Sequence, residues 1–295
     1  MPYASSAGTE IYYETLGRPS DPTVILITGL GGQLIDWNVE FCSMLVDRGL
    51  HVVRFDNRDS GLSTMFDNAD LDLSAAINSA LAGEPIEVPY TLSDMTADLL
   101  GLLDHLDVKR AHVVGVSMGG MIAQTLAVEH PERVASLTSI MSSTGSRAVG
   151  QPTPEAVAVL FERPPVDRTG AIDASVRARQ IIGSPAYFDL ETARTEAGAA
   201  FDRSFNPDAT GRQLAAIYAA GNRTAQVAGI SAPALVIHGE LDTLINVSGG
   251  QHTAETIPGA QLLVFDDMGH DLPKPLWPAL IDAISNHIAA AADNQ

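Results

Sequence analysis

Short apolar runs alternate along this chain with stretches in which apolar residues recur every three or four positions. Runs of this length predict strands that are buried on both faces of a parallel sheet. Buried strands of this kind are predicted at 24–28, 111–114 and 134–141, and further strands at 51–56, 234–238 and 261–265. The periodic stretches predict amphipathic helices at 37–48, at 118–130, after Thr91 and after Leu276. A strand at 10–16, paired with the first residues as a hairpin, is predicted ahead of this alternation.

The alternation is interrupted between residues 142 and 223, where the pattern predicts helices with no strand between them. Strands that alternate with helices imply a parallel sheet covered on both faces. A helical block inserted late in such a fold implies a cap over the C-terminal edge of the sheet, where catalytic groups lie. We therefore expect a core domain of residues 1–141 and 224–295 and a helical cap domain of residues 142–223. Residues 65–89 show no regular pattern.

The charge of the chain restricts its partners. The 295 residues include 17 Lys and Arg and 36 Asp and Glu, which gives a net charge of −19. This balance argues against nucleic acid and anionic membranes, and a small molecule is the expected partner. No apolar stretch is long enough to span a membrane and no signal peptide is evident, so a cytoplasmic location is expected. The single cysteine, Cys42, is expected to be a buried apolar residue. The oligomeric state is left open.

A sharp strand-to-helix turn is predicted around Ser117. Gly115-Val116-Ser117-Met118-Gly119 matches the G-x-S-x-G elbow, with a predicted strand before it and a predicted helix after it. In this tight turn, side chains two positions before and two after the serine would collide, which explains both glycines. The serine hydroxyl is pushed clear of the sheet, and the helix N-terminus points at the same place. Ser117 is therefore the candidate nucleophile.

A serine hydroxyl needs a base within hydrogen-bonding reach, and the base needs a third group that orients it. In this architecture the acid and then the histidine follow the serine along the chain. Asp242 follows the strand at 234–238, and Glu240 in the same turn is a rival. His270 follows the last strand, and Gly269 before it is expected to free the backbone. His238 is the rival histidine, although a buried core role fits it better.

Acyl transfer also needs donors for the negative oxygen of a tetrahedral intermediate. The backbone N–H of Met118, directly after the candidate nucleophile, is expected to be one. The second is expected from the loop Gly29-Leu30-Gly31-Gly32, and the N–H of Leu30 is our choice. No cofactor and no metal are expected, because His and Cys are not clustered with the spacing of metal ligands.

With these residues in place, the chain resembles enzymes of the α/β-hydrolase fold, and more narrowly actinobacterial carboxylesterases of the aclacinomycin methylesterase type. The matching stretches begin at Phe55, His112 and Met268, and run as FDNRDSGLST, HVVGVSMG and MGHDLP. The resemblance covers the whole chain and implies a mostly parallel eight-stranded sheet flanked by helices. Many members have His-Gly before the oxyanion loop, whereas this chain has Thr28-Gly29. Haloalkane dehalogenases and epoxide hydrolases also resemble this chain, but they have Asp at the elbow. Ser117 at that position therefore argues against both families.

These features predict a serine hydrolase that cleaves carboxylic esters through an acyl-enzyme intermediate, with Ser117, His270 and Asp242 as its triad. The same triad could serve thioester hydrolysis, cleavage of a carbon–carbon bond or cofactor-free perhydrolysis. A ligand-binding protein that keeps the fold without catalysis is the alternative from another class. The sequence does not define the acyl and alcohol groups of the substrate.

Overall fold

A computed structural model describes residues 2–6, 8–67, 71–163 and 165–293. Its centre is one eight-stranded sheet in the order β1-β2-β4-β3-β5-β6-β7-β8. Strand β2 is antiparallel to both of its neighbours, and the strands from β4 to β8 in this order are parallel. The strands are β1 (Tyr3–Ser6), β2 (Thr9–Leu16), β3 (Thr23–Ile27), β4 (His51–Phe55), β5 (Ala111–Val116), β6 (Val134–Ile140), β7 (Ala234–Gly239) and β8 (Gln261–Phe265). The predicted hairpin, the predicted strands and the eight-stranded sheet are confirmed, although β8 is an edge strand that is partly exposed.

Helices cover both faces of this sheet. On one face α1 packs against α11, and on the other α3 packs against α4 beside α10. The helices are α1 (Val39–Val46), α2 (Leu73–Ala82), α3 (Leu92–His105), α4 (Met118–Glu129), α5 (Pro154–Leu160), α6 (Arg168–Ile182), α7 (Leu190–Arg203), α8 (Ala209–Ala220), α9 (Thr224–Val227), α10 (Ser248–Thr256) and α11 (Trp277–Asp293). Two apolar layers result, and strands β3, β4, β6 and β7 are buried between them throughout their length.

Two helical regions differ from the sequence-based expectation. The helix expected over 37–48 is shorter, because Asn38 accepts a hydrogen bond from the Glu40 N–H and starts α1 only at Val39. A short 3₁₀ turn, Leu34–Asp36, precedes it. Within the stretch that lacked a regular pattern, α2 starts after the Asp72 cap and ends at Gly83, whose φ is 80°. Helix α3 starts after Thr91, as predicted, and Thr91 and Asp94 form a capping box there.

Residues 142–223, here called the helical insertion, lie between β6 and β7 and contribute α5 to α8. Within the described part of this segment there is no strand. Several of its arginines pair with acids at the surface, as Arg168 does with Asp202. Two others attach the insertion to the loop after β4. Arg203 pairs with Asp56, and Arg212 pairs with Asp59. Because both aspartate side chains are fully buried, these pairs fix how the insertion sits on the sheet.

Two further findings concern membrane-spanning helices and the single cysteine. Across the described ranges, no helix combines the length and apolar character needed to cross a membrane. Cys42, on the inner face of α1, is fully buried, as expected from the sequence. Its burial raises the pKa of its thiol to about 11.

Candidate active site

Ser117 lies between β5 and α4 in a strained backbone conformation, with φ of 57° and ψ of −119°. Its backbone N–H donates to the Ile140 carbonyl of the neighbouring strand at 2.8 Å, which fixes the turn against the sheet. A Cβ atom at Gly115 would lie 2.1 Å from the Gly119 carbonyl oxygen. A side chain at position 115 would therefore collide with the other end of the turn, as expected. At Gly119, the added atom would instead strike the Ile27 carbonyl of β3, at 2.3 Å.

The imidazole of His270 connects the other two candidate residues. Its Nε2 atom lies 3.0 Å from Oγ of Ser117, and its Nδ1 atom lies 2.7 Å from Oδ2 of Asp242. The three residues follow three different strands, β5, β7 and β8, which end at the same edge of the sheet. The structure thus brings together the three side chains that the sequence placed far apart.

Asp242 is held by the turn that follows β7. Its Oδ1 atom accepts hydrogen bonds from the backbone N–H groups of Leu244 and Ile245, at 2.9 and 2.8 Å. Burial disfavours the ionised form, but the attraction of His270 and hydrogen bonds from His238 and His270 outweigh it. The pKa of Asp242 is therefore held well below its usual range, and this carboxylate stays ionised at neutral pH.

The stability of the protein should depend on this carboxylate at acid pH. Because its pKa is lower in the folded than in the unfolded chain, its contribution to the free energy of unfolding is present above about pH 4 and is lost as the pH falls through the folded value. We expect the stability difference between the wild type and Asp242→Asn to shrink as the pH falls below about 4. Urea unfolding at a series of pH values measures it. A difference that grows as the pH falls below about 4 would contradict the assigned pKa direction.

The two alternative candidates, His238 and Glu240, are not hydrogen-bonded to Ser117. The side chain of His238 is fully buried, with its Nε2 atom 2.7 Å from the Ile245 carbonyl oxygen and 3.4 Å from Oδ2 of Asp242. It therefore lies behind the carboxylate, as a core histidine, rather than at Ser117. Glu240 is exposed in the same turn.

The candidate oxyanion donors lie on two sides of Ser117. A Cβ atom built on Gly29 would be 3.2 Å from Cβ of Ser117, so the Gly29–Gly32 loop lies directly against the elbow. Within the part of the chain that is described, the N–H groups of Leu30 and Met118 have no hydrogen-bond partner. Two such donors beside a serine hydroxyl can donate hydrogen bonds to an anionic oxygen.

Comparison with known proteins shows the family to which this chain belongs. A family model described as alpha/beta hydrolase fold matches residues 22–273. The chain belongs to this family. It is also 28% identical to rhodomycin D methylesterase of Streptomyces peucetius over 301 residues, which cover 95% of each chain. The resemblance to methylesterases expected from the sequence is thereby confirmed.

Solved structures give the same fold for this α/β hydrolase. The enol-lactonase from Burkholderia xenovorans LB400 superposes with a TM-score of 0.73 at 25% identity, covering 98% of this chain and 100% of that one. The meta-cleavage product hydrolase from Pseudomonas fluorescens IP01 superposes with a TM-score of 0.76 at 20% identity, with 98% and 97% covered. At that lower identity the likeness concerns the fold alone.

The loop beside the elbow of this α/β hydrolase has a brace that sequence reasoning missed. The Asn57 side chain donates to the carbonyl and the hydroxyl oxygen of Thr28, at 3.3 and 3.1 Å. The Thr28 hydroxyl donates in turn to the Gly32 carbonyl at 3.3 Å. In this chain, Thr28 and Asn57 together connect the two ends of the Gly29–Gly32 loop to the loop after β4. Asn57 was visible in the sequence only as part of the stretch that begins at Phe55.

The loop that carries His270 is held by the helical insertion. The His270 N–H donates to the Ile182 carbonyl at 2.7 Å, and the Gly269 N–H donates to the Ser184 hydroxyl at 2.8 Å. A Cβ atom at Gly269 would lie 2.4 Å from the backbone of Gly183. The expectation that Gly269 frees the backbone therefore needs correction, since close packing against Gly183 is what requires a glycine there.

Over the described ranges, no group of three or more His, Cys, Asp or Glu side chains is arranged to hold a metal ion. The geometry at the sheet edge consists of a hydroxyl, an imidazole, a carboxylate and two free backbone N–H groups. These are the components of nucleophilic acyl transfer.

Proposed function

We propose that this α/β hydrolase cleaves carboxylic esters through an acyl-enzyme intermediate, with Ser117, His270 and Asp242 as its catalytic triad. The position of the His270 ring carries the proposal, because it is within hydrogen-bonding distance of both Ser117 and Asp242. A hydroxyl is a weak nucleophile at neutral pH, and an imidazole oriented by a carboxylate is the arrangement that activates it.

Acylation begins when Ser117 Oγ attacks the ester carbonyl carbon and its proton passes to Nε2 of His270. Asp242 accepts a hydrogen bond from the Nδ1–H group, which leaves Nε2 free to take that proton. The ionised carboxylate also stabilises the imidazolium that forms. The low pKa of Asp242 supports this role, because the charge is present throughout the neutral range.

The tetrahedral intermediate then carries a negative charge on the former carbonyl oxygen. In this proposal the N–H groups of Leu30 and Met118 donate to that oxygen, and the N-terminal dipole of α4 adds to the attraction. His270 returns its proton to the leaving alcohol as the intermediate collapses. A water molecule, activated by the same imidazole, then cleaves the acyl-enzyme and releases the acid.

We propose that the helical insertion is the cap domain of this enzyme, with residues 1–141 and 224–295 as the core domain. Its segment 182–184 lies on the His270 loop, and Gln213 of α8 reaches the Gly29–Gly32 loop. The insertion therefore lies over the edge of the sheet where the substrate must enter. Residues of the cap would shape the acyl and alcohol sites and exclude water from them.

The comparisons favour an ester substrate, and methyl esters are the first class to test. One relative is named for methylester cleavage and one solved neighbour at 25% identity is named a lactonase, which opens a cyclic ester. Purified protein should be incubated with matched methyl esters, p-nitrophenyl esters and acyl thioesters of the same acid. We expect turnover of the oxygen esters that is lost in Ser117→Ala. Faster turnover of the thioesters would favour the thioesterase alternative.

A further inference from the structure

One side chain of the helical insertion joins the two loops that follow β3 and β4. The Oε1 atom of Gln213, on α8, accepts a hydrogen bond from the Gly31 N–H at 2.8 Å. Its Nε2 atom donates to the Arg58 carbonyl at 2.8 Å. Gln213 is fully buried, and 182 residues separate it from Gly31. The two core residues that Gln213 connects, Gly31 and Arg58, both lie in loops and not in a helix or strand.

Gly31 lies in a tight turn whose other side touches the nucleophile. The Gly32 N–H donates to the Gly29 carbonyl at 3.1 Å and closes the turn around Leu30 and Gly31. Gly31 has φ of 68°, and a Cβ atom there would be 3.0 Å from the Thr210 hydroxyl of α8. The turn thus fits between the elbow, which it meets at Gly29, and α8, which it meets at Gly31.

Helix α8 is itself fixed on the core, so the Gln213 oxygen has a defined position. Arg212 forms two hydrogen bonds to the Asp59 carboxylate, at 2.8 and 2.9 Å, and both side chains are buried. Asp59 also accepts from the Tyr90 hydroxyl at 2.7 Å and from the Phe66 N–H at 2.7 Å. Such a satisfied buried network resists displacement, since moving one member leaves the others without partners.

We infer that Gln213 is a positioning residue for the oxyanion hole, because it holds the turn that presents the Leu30 N–H. The inference rests on the proposed function. Donors stabilise an oxyanion only when they are fixed at hydrogen-bonding distance before the charge develops. By holding the N–H of the next residue, Gly31, Gln213 restrains the turn that carries the Leu30 N–H. The insertion then completes the catalytic site and does not only cover it.

The direct test replaces Gln213 by methionine, which keeps the length of the side chain but cannot replace its two hydrogen bonds. Gln33→Met is the matched control. Gln33 follows the same turn and is also buried, and its amide donates to the Ala200 and Ser204 carbonyls of the insertion at 2.8 and 2.9 Å. Both variants lose hydrogen bonds between insertion and core, but only Gln213→Met releases the Gly31 N–H.

For Gln213→Met we expect kcat with a short ester to fall by about 10- to 100-fold, somewhat less than the cost of removing an oxyanion donor outright, with KM within about threefold. The affinity for a trifluoromethyl ketone should fall by a similar factor, because its adduct with Ser117 places an anionic oxygen at the same donors. Gln33→Met should keep kcat within about threefold although its thermal unfolding midpoint falls comparably. The shorter Gln213→Asn, which keeps a polar amide in the site, should show the same losses if the methionine variant does not fold.

Unchanged kcat in Gln213→Met, or equal losses of kcat in the Gln213 and Gln33 variants, would overturn the inference. The second result would mean that general docking of the insertion matters and not the bond to Gly31. Failure of the proposed function looks different, since Ser117→Ala would then retain turnover. If Ser117→Ala is inactive and Gln213→Met is fully active, only the positioning role is wrong.

Discussion

Replacement of Ser117 by alanine is expected to lower kcat for ester hydrolysis by about 10⁵- to 10⁶-fold, as removal of a nucleophile that acts together with its base does elsewhere. The substitution removes the atom that forms the acyl bond, and no neighbouring hydroxyl replaces it at 3.0 Å from Nε2 of His270. The fold should survive, because only one half-buried oxygen is lost and the backbone bond from Ser117 N–H to Ile140 remains. Initial rates with a p-nitrophenyl ester measure the effect.

Ser142→Ala is the matched control for this experiment. Ser142 is buried just after β6 at the same edge of the sheet, and its hydroxyl has no hydrogen-bond partner within the described part of the chain. Its loss should leave kcat within about twofold, as is usual for substitutions that break no bond. Full activity in Ser117→Ala, with circular dichroism showing a folded protein, would remove Ser117 from the mechanism.

Asp242→Asn should lower kcat by about 10⁴-fold, the cost of this substitution where a triad aspartate has been replaced. The asparagine amide can present its N–H₂ group to Nδ1 of His270, which then holds the imidazole with its proton on Nε2. In that tautomer Nε2 cannot take the proton of Ser117. The negative charge that stabilises the imidazolium is also lost. Single-turnover rates with a p-nitrophenyl ester separate this effect from slower product release.

The rival acid of the same turn provides the comparison for Asp242. Glu240 is exposed, so Glu240→Gln changes the charge of the turn without touching the imidazole. It should alter kcat by less than about twofold, as exposed substitutions usually do. If Glu240→Gln were as damaging as Asp242→Asn, the acid of the triad would have been assigned to the wrong residue.

The parts of this site that could be predicted from sequence depend on local patterns. The elbow at Ser117 has a strand before it, a helix after it and glycines at fixed spacing, all within one short segment. Asp242 and His270 could be placed because each follows a predicted strand, although 153 residues separate His270 from Ser117. Parallel strands bring their C-terminal ends to one edge, so the order of the elements was enough to place these residues together.

Contacts between the insertion and the core could not be predicted in the same way. Helical periodicity tells which face of α8 is buried, but it does not tell which loop that face meets. Gln213 and Ser184 are ordinary polar residues in the sequence, and their roles depend on partners more than 80 residues away. The same limit applies to arginine, since Arg168 pairs at the surface and Arg212 pairs in the core. The charge pattern of the sequence does not distinguish these two cases.

The acyl-enzyme mechanism is best tested by intact-mass spectrometry of the protein mixed with an activated ester and quenched within one turnover. The account predicts a mass increase equal to the acyl group, mapped by peptide digestion to Ser117 and absent from Ser117→Ala. His270→Ala should not acquire it at a measurable rate, because the hydroxyl then lacks its base. Steady turnover of the ester without any acyl adduct on Ser117, or with an adduct on another residue, would contradict the account.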